Sequence, residues 1–353
     1  MTIASDPPLA DACVWHGADI VGSPRWTRRL DVAQRAALER ALDEAGRRGL
    51  HWDQATADAL PLPELGALVA GIRDDLENGL GIVKLQGFPV ADHDPDRLRL
   101  MYFALGAHVG TPVFQNRHGE RMRAIRDEGG DLGARYGEVR TGDGRFLSSY
   151  ARTLSNGRLR FHTDRTDVVA LLCVRQALSG GVSRLCSSAA VYNAMRARRP
   201  DLAAVLRAPI WRSRLGEESD RAEDVYPLPV FGIRDGRLTS HWSLTYVEAA
   251  QLVDGVPKLT PLQREAIEML MALAEELCFE MTLEPGDVQF INSHVTYHGR
   301  TAFEDDAASG HDRLLLRLWL SMPDSRSLPD DHAVLWRDVR AGALRGGIAQ
   351  SAP

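Results

Sequence analysis

Apolar residues recur at helical spacing in the first hundred positions and at strand spacing beyond about residue 160. Over 31–48, Val32, Ala36, Leu38, Leu42 and Ala45 approximate the period of a helix, and Gly46 and Gly49 supply a stop. Residues 65–76 predict a second helix, and 96–109, with Leu98, Leu100, Met101, Phe103, Ala104 and Leu105, a third. Between them, 81–88 reads as a strand closed by Gly87 and Pro89. The segment 111–160 is polar and rich in Gly and Arg, with one strand-like stretch at 123–126. A loop of that length inside a compact domain is more often functional than inert. Strand-like segments then follow at 168–174, 183–187, 208–214, 226–233, 237–247, 287–291 and 314–320, interrupted by helices near 189–197 and 261–279. Many short strands with a few helices outside them predict an α+β fold built on a double-sheet jelly roll rather than a βαβ sheet.

Composition narrows the class without naming an activity. With 44% hydrophobic and 25% charged residues among 353, the chain has the make-up of an ordinary globular protein and ample length to bury a core. A net charge of -6 and dispersed arginines give no footprint for nucleic acid. Cys13, Cys173, Cys186 and Cys278 show no CxxC pairing, so reduced thiols in a cytoplasm are expected. The first residues lack a basic stretch followed by an apolar one, so no secretory signal is expected, and no apolar run is long enough to span a membrane. Oligomeric state is left open, a homo-oligomer included.

Candidate chemistry begins at Phe161-His162-Thr163-Asp164. On an extended segment, residues two apart point to the same side, so His162 and Asp164 are a candidate pair of metal ligands. Isolated, such a pair is more often an ordinary surface His and Asp. A third ligand arriving later would complete a two-His-one-carboxylate set, which suits iron and leaves positions open for substrates. Two histidines, His294 and His298, stand in the predicted loop after 288–291; His298 is favoured because Gly299-Arg300-Thr301 follows it. In Arg313-Leu314-Leu315-Leu316-Arg317-Leu318-Trp319-Leu320, two arginines four apart share one face of an otherwise apolar strand. An arginine so placed calls for an anionic partner, and a carboxylate satisfies it with paired charge-assisted bonds.

Taken in order, these residues resemble the TauD/TfdA (clavaminate-synthase-like) branch of Fe(II)- and 2-oxoglutarate-dependent oxygenases. The likeness runs from about 79 to 323. It rests on Phe161-His162-Thr163-Asp164, Ser179-Gly180-Gly181-Val182-Ser183, Glu284-Pro285-Gly286-Asp287, His298-Gly299-Arg300-Thr301-Ala302-Phe303 and Arg313 to Arg317. The resemblance implies a double-stranded β-helix core and a dioxygenase that uses Fe(II), 2-oxoglutarate and O2. It implies that His162, Asp164 and His298 bind iron, that Arg317 grips the distal carboxylate of 2-oxoglutarate with Arg313 assisting, and that Ser183 stands where relatives often carry a threonine. Asp164 argues against halogenation, since related halogenases have a small residue there. The domain reading that follows is a helical lead-in at 1–78, an oxygenase core at 79–323 with 111–160 inserted, and a tail at 324–353 for which a lid, an oligomer contact and disorder all stay open.

Substrate residues are less constrained. Gln115, Arg126, Asn156, Arg158, His241 and Tyr246 are the candidates, with Asn116, Ser243 and Thr245 beside them, and a small polar or amino-acid-like metabolite is the expected partner. Two other readings stay open on the residues alone: a silent jelly-roll binding protein and a zinc-dependent hydrolase. The first predicts a missing ligand or arginine, and neither is missing. The second leaves Arg317 unexplained.

Overall fold

The computed structural model describes residues 8–91, 93–136, 138–141, 144–214 and 225–349. Eleven strands form its two larger sheets. They are β1 (Thr27–Arg29), β2 (Ile82–Gln86), β3 (Thr111–Pro112), β4 (Met122–Ile125), β5 (Leu159–His162), β6 (Val168–Arg175), β7 (Ser183–Ser187), β8 (Phe279–Met281), β9 (Val288–Asn292), β10 (Thr296–Arg300) and β11 (Leu314–Ser321). One sheet runs β1-β2-β9-β6-β11-β3, with β4 also on β11; the other runs β8-β7-β10-β5. Within the first, β1 joins β2 in parallel, and the remaining pairs are antiparallel.

Parity along β11 shows why the layers form. Leu316, Leu318 and Leu320 are buried with apolar residues of the helices Val32–Arg48, Gly66–Glu77 and Pro95–Val109, whereas Trp319 is buried with Ile82, Val169 and Ile291 of its own sheet and Leu185 and Phe279 of the other. Even-numbered residues therefore meet helices, and odd-numbered ones meet the space between the sheets. Phe161 and Tyr297 cover the outer face of the second sheet, packed with the helices Ser188–Arg198, Pro200–Leu206 and Pro261–Leu277. The result is a mixed helix and sheet architecture of four layers.

Local signals explain the helix ends. Asp31 and Gln34 form a capping box at the start of Val32–Arg48, and Gly49, at φ 62, ends it. Thr260 and Gln263 do the same for Pro261–Leu277.

Several elements differ from the sequence reading. The predicted strand over 237–247 stops at Ser240, and Leu244–Ala250 is a helix. The predicted 226–233 strand is two, Val225–Leu228 and Phe231–Arg234. Residues 111–160 hold short elements of their own, including β4 and the helix Ser149–Thr153. The loop expected to carry His298 is strand β10, whose polar residues hid its alternation.

The segment after Pro323 is stapled to the core. Arg345, 1% exposed, donates Nε to Asp167 Oδ1 at 2.7 Å and Nη2 to the Arg326 carbonyl at 2.7 Å. Gly347 N and Ile348 N donate to the carbonyls of Arg165 and Phe114 at 2.7 and 2.8 Å. Trp336 lies against His294, ring centroids 4.7 Å apart. Among the described residues, no helix is long and apolar enough to cross a membrane.

Candidate active site

Antiparallel register brings the two histidines together. His162 on β5 is directly opposite His298 on β10, which puts both side chains on one face. Their ring centroids are 4.2 Å apart. The strands can approach this closely because residue 299 is glycine: a Cβ there would lie 2.8 Å from the Leu159 carbonyl oxygen. Asp164 follows just beyond β5, its backbone set by Thr163, whose N–H donates to the Trp242 carbonyl at 2.8 Å and whose hydroxyl accepts from Trp242 N–H at 3.0 Å. Ligand atoms of His162, Asp164 and His298 all lie within 4.8 Å of one another.

The surroundings leave these atoms ready to coordinate. His162 Nδ1 is 2.9 Å from the Arg160 carbonyl, to which it donates, so its Nε2 carries the lone pair, 3.7 Å from Asp164 Oδ1. The other oxygen of Asp164 accepts from Trp319 Nε1 at 2.8 Å and Arg317 Nη1 at 3.2 Å. Burial pushes the Asp164 carboxyl up, but Arg317, His298, His162 and the Trp319 N–H outweigh it and hold the group below the usual carboxylate range. Burial and then the charge of His162 push His298 down to about 3, which keeps it neutral. Two imidazoles and a carboxylate suit a single divalent cation of the iron type.

His294 has other work. It is fully buried, with Nδ1 2.7 Å from Thr239 Oγ1 and Nε2 2.8 Å from Asp167 Oδ1.

A cavity opens on each side of the cluster. Gln115, Asp164, His241, Tyr246 and Arg317 line one, and Ser183, His298, Arg300 and Arg313 line the other, with His162 and Arg317 shared by both. The two arginines of β11 have different neighbours. Arg317 is engaged: besides Asp164 it donates Nε to Gln115 Oε1 at 2.7 Å. Arg313, also buried, leaves Nη1 without a hydrogen-bond partner and makes no ion pair among the described residues. Gly181, at φ +66, makes room for it, since a Cβ there would meet Arg313 Nε at 3.0 Å. Burial lowers Arg313 to about 10, and burial with the charge of Arg313 lowers Arg300 to about 9.

Of the substrate candidates, Gln115, His241 and Tyr246 line the first cavity. His241 is buried with Nδ1 3.0 Å from Thr163 Oγ1, and burial followed by the charges of Arg212 and Arg165 hold it well below its ordinary value. Arg126, Asn156 and Arg158 are exposed and lie elsewhere. Arg158 pairs with Glu275, and Arg126 follows the end of β4, where Arg123 opposite Arg317 turns into the cavity instead. Asn116 binds the neighbouring Glu120 at 2.5 Å.

The sequence reading missed Arg123, Arg160, Arg165, Arg214 and Leu335, all of which line the first cavity. Only Arg160 had a visible signal, being two residues before His162; its guanidinium is held by both oxygens of Glu248 at 3.0 and 2.6 Å.

Residues 47–319 match the "Taurine catabolism dioxygenase TauD, TfdA family". The chain is 31% identical over 331 residues to FR-33289 synthase of Streptomyces rubellomurinus, covering 91% of this chain and 93% of that one. It is 25% identical over 315 residues to the taurine hydroxylase-like protein SAT17 of Stachybotrys chartarum, covering 88% and 79%. Among solved structures, asparagine oxygenase in complex with Fe(II), 2S,3S-3-hydroxyasparagine and succinate superposes with a TM-score of 0.62 at 19% identity, covering 91% of this chain and all (100%) of that one. The non-heme iron oxygenase OrfP in complex with Fe and alpha-ketoglutaric acid gives 0.59 at 16%, covering 84% and 94%.

Proposed function

The chain belongs to the TauD/TfdA dioxygenase family, and on that footing we propose that it is an Fe(II)- and 2-oxoglutarate-dependent dioxygenase oxidising an unactivated C–H bond of a small polar or amino-acid-like metabolite. The observation that carries this reading is the placement of the His162, Asp164 and His298 cluster between two cavities. A dioxygenase of this kind must hold a co-substrate and a substrate against one metal.

In this reading His162, Asp164 and His298 hold Fe(II). Arg313, with its unpartnered donor, takes the distal carboxylate of 2-oxoglutarate beside Ser183, reversing the order of the two arginines expected from sequence. Arg317 instead orients Asp164 and keeps it ionised. Bound iron would let O2 act as the oxidant, with 2-oxoglutarate giving up two electrons as it becomes succinate and CO2, and the substrate C–H bond giving up the other two. Trp319 and Arg317 fix the unbound oxygen of Asp164, and the Arg160 carbonyl fixes the His162 tautomer.

The first cavity takes the substrate. Gln115, His241 and Tyr246 line it beside His162 and Asp164, a mixed polar surface suited to a small polar metabolite. The solved neighbours named for hydroxyasparagine and hydroxy-L-Arg complexes support the amino-acid-like class. We read the two facing sheets as a double-stranded β-helix over 79–323, the residues before 79 as a packed lead-in, and the cell compartment as the cytoplasm.

The test is spectroscopic. Under anaerobic conditions, Fe(II) followed by 2-oxoglutarate should produce a visible charge-transfer band that requires both and is absent from Asp164→Ala. No band from folded, metal-loaded wild-type protein would refute the reading.

A further inference from the structure

The second cavity holds a cation that the proposed chemistry has not used. Arg300 is two residues beyond His298 on β10 and directly opposite Ser183 on β7, so the three side chains share the cavity face. It is 4% exposed. Its Nη2 donates to the carbonyls of Ser155 and Gly157 at 2.7 and 2.6 Å. Its Nε and Nη1 are buried with no hydrogen-bond partner, and it makes no ion pair among the described residues.

Arg300 and Arg313 also flank one aromatic side chain. Their guanidinium carbons lie 4.7 and 5.1 Å from the centroid of Phe303. Two like charges thus line one cavity and contact the same ring, with three unpartnered donor atoms in all, namely Arg300 Nε, Arg300 Nη1 and Arg313 Nη1. Burying unpaired charge is strongly unfavourable, and an aromatic face offsets only part of that cost. One carboxylate would relieve both, because its two oxygens offer about four lone-pair positions.

We propose that Arg300 is a second binding residue for the distal carboxylate of 2-oxoglutarate, sharing it with Arg313. This rests on the function proposed above, and supplies what a single guanidinium leaves unexplained. Arg313 alone would account for one anchored carboxylate; it would not account for a second buried, unpaired arginine across from Ser183.

The test compares two keto acids of equal chain length, 2-oxoglutarate and 2-oxopentanoate, the latter with a methyl group where the distal carboxylate stands. Binding to the anaerobic Fe(II) protein is measured by calorimetry for wild type, Arg300→Met, Arg300→Lys, Arg313→Met and the double methionine variant. Arg300→Met should weaken 2-oxoglutarate by about tenfold or more, in line with a lost charge-assisted bond, and leave 2-oxopentanoate unchanged. The double variant should lose less than the product of the single losses, as expected for two residues on one group. Should the methionine variant not fold, Arg300→Lys decides by the same comparison, with a selective loss of several-fold expected. Wild-type affinity for 2-oxoglutarate in these variants, or equal loss of both keto acids, would overturn the proposal alone. Failure of the wild-type protein to bind 2-oxoglutarate would overturn the proposed function as well.

Discussion

Replacing Arg345 by methionine tests how far the C-terminal segment supports the centre. Arg345 reaches Asp167 at 2.7 Å and the carbonyls of Arg326 and Arg340 at 2.7 and 3.2 Å. Asp167 follows Asp164 by three residues, and the Gly347 N–H binds the intervening Arg165 carbonyl. Removing one partner of a buried ion pair costs about 3–5 kcal/mol. The lower end is expected here, because Asp167 keeps His294 Nε2 at 2.8 Å and the Met322 N–H at 2.9 Å. Unfolding entropy of roughly 2.1 cal/mol/K per residue over 353 residues converts that range to a fall in Tm of about 4–7 °C. Circular dichroism melting would measure it, and hydrogen exchange would show lost protection over 333–348. A Tm within about 1 °C of wild type, with protection unchanged, would refute the reasoning.

Acid should destabilise the protein through the same cluster. Burial pushes His294 down to about 4, against the partial support of Asp167 and with Arg345 and Arg326 opposing its charge. Its folded pKa is below its unfolded one, so the unfolded chain takes the proton first, and stability falls as pH drops from about 6.5 toward 4, at up to about 1.4 kcal/mol per unit. Asp167, held below the carboxylate range, adds a loss of the same sign at lower pH; urea unfolding at pH 7.5, 6 and 5 should show the midpoint declining. Trp319→Phe removes the N–H from Asp164 Oδ2 and should lower Fe(II) affinity about 10–100-fold with the fold intact, as read by chelator competition. Gly299→Ala places a methyl 2.8 Å from the Leu159 carbonyl oxygen and should part β5 from β10; metal affinity should fall more than Tm does.

Periodicity made most of the layering legible in the sequence. Helices at 32–48, 66–77 and 95–109 and strands at 168–175, 183–187 and 314–321 coincide with apolar patterns. Strand β10 did not, because Thr296, His298 and Arg300 on its cavity face are polar and buried, so alternation there cannot be told from a polar loop. The helix at 244–250 was taken for a strand because His241 to Tyr246 alternates in polarity over a span too short to separate the two periods. Pocket residues were hardest. Arg126 and Arg123 differ by three positions and face opposite ways, a distinction set by the pairing of β4 with β11. The roles of Arg313 and Arg317 likewise depend on Gln115 and Asp164 arriving from 202 and 153 positions away to occupy only one of them.

The engagement of Asp164 by Arg317 and Trp319 also bears on how the centre can be loaded. A carboxylate with its counter-charge supplied by the protein is no stranded anion when the metal is missing. Unlike small domains that fold only around their ion, this chain buries large apolar cores between its two sheets and under the helices on both outer faces, and these cores are what hold the ligand strands in register. Loading and stripping of iron are then exchange reactions of a folded protein, governed by access through the cavities rather than by refolding.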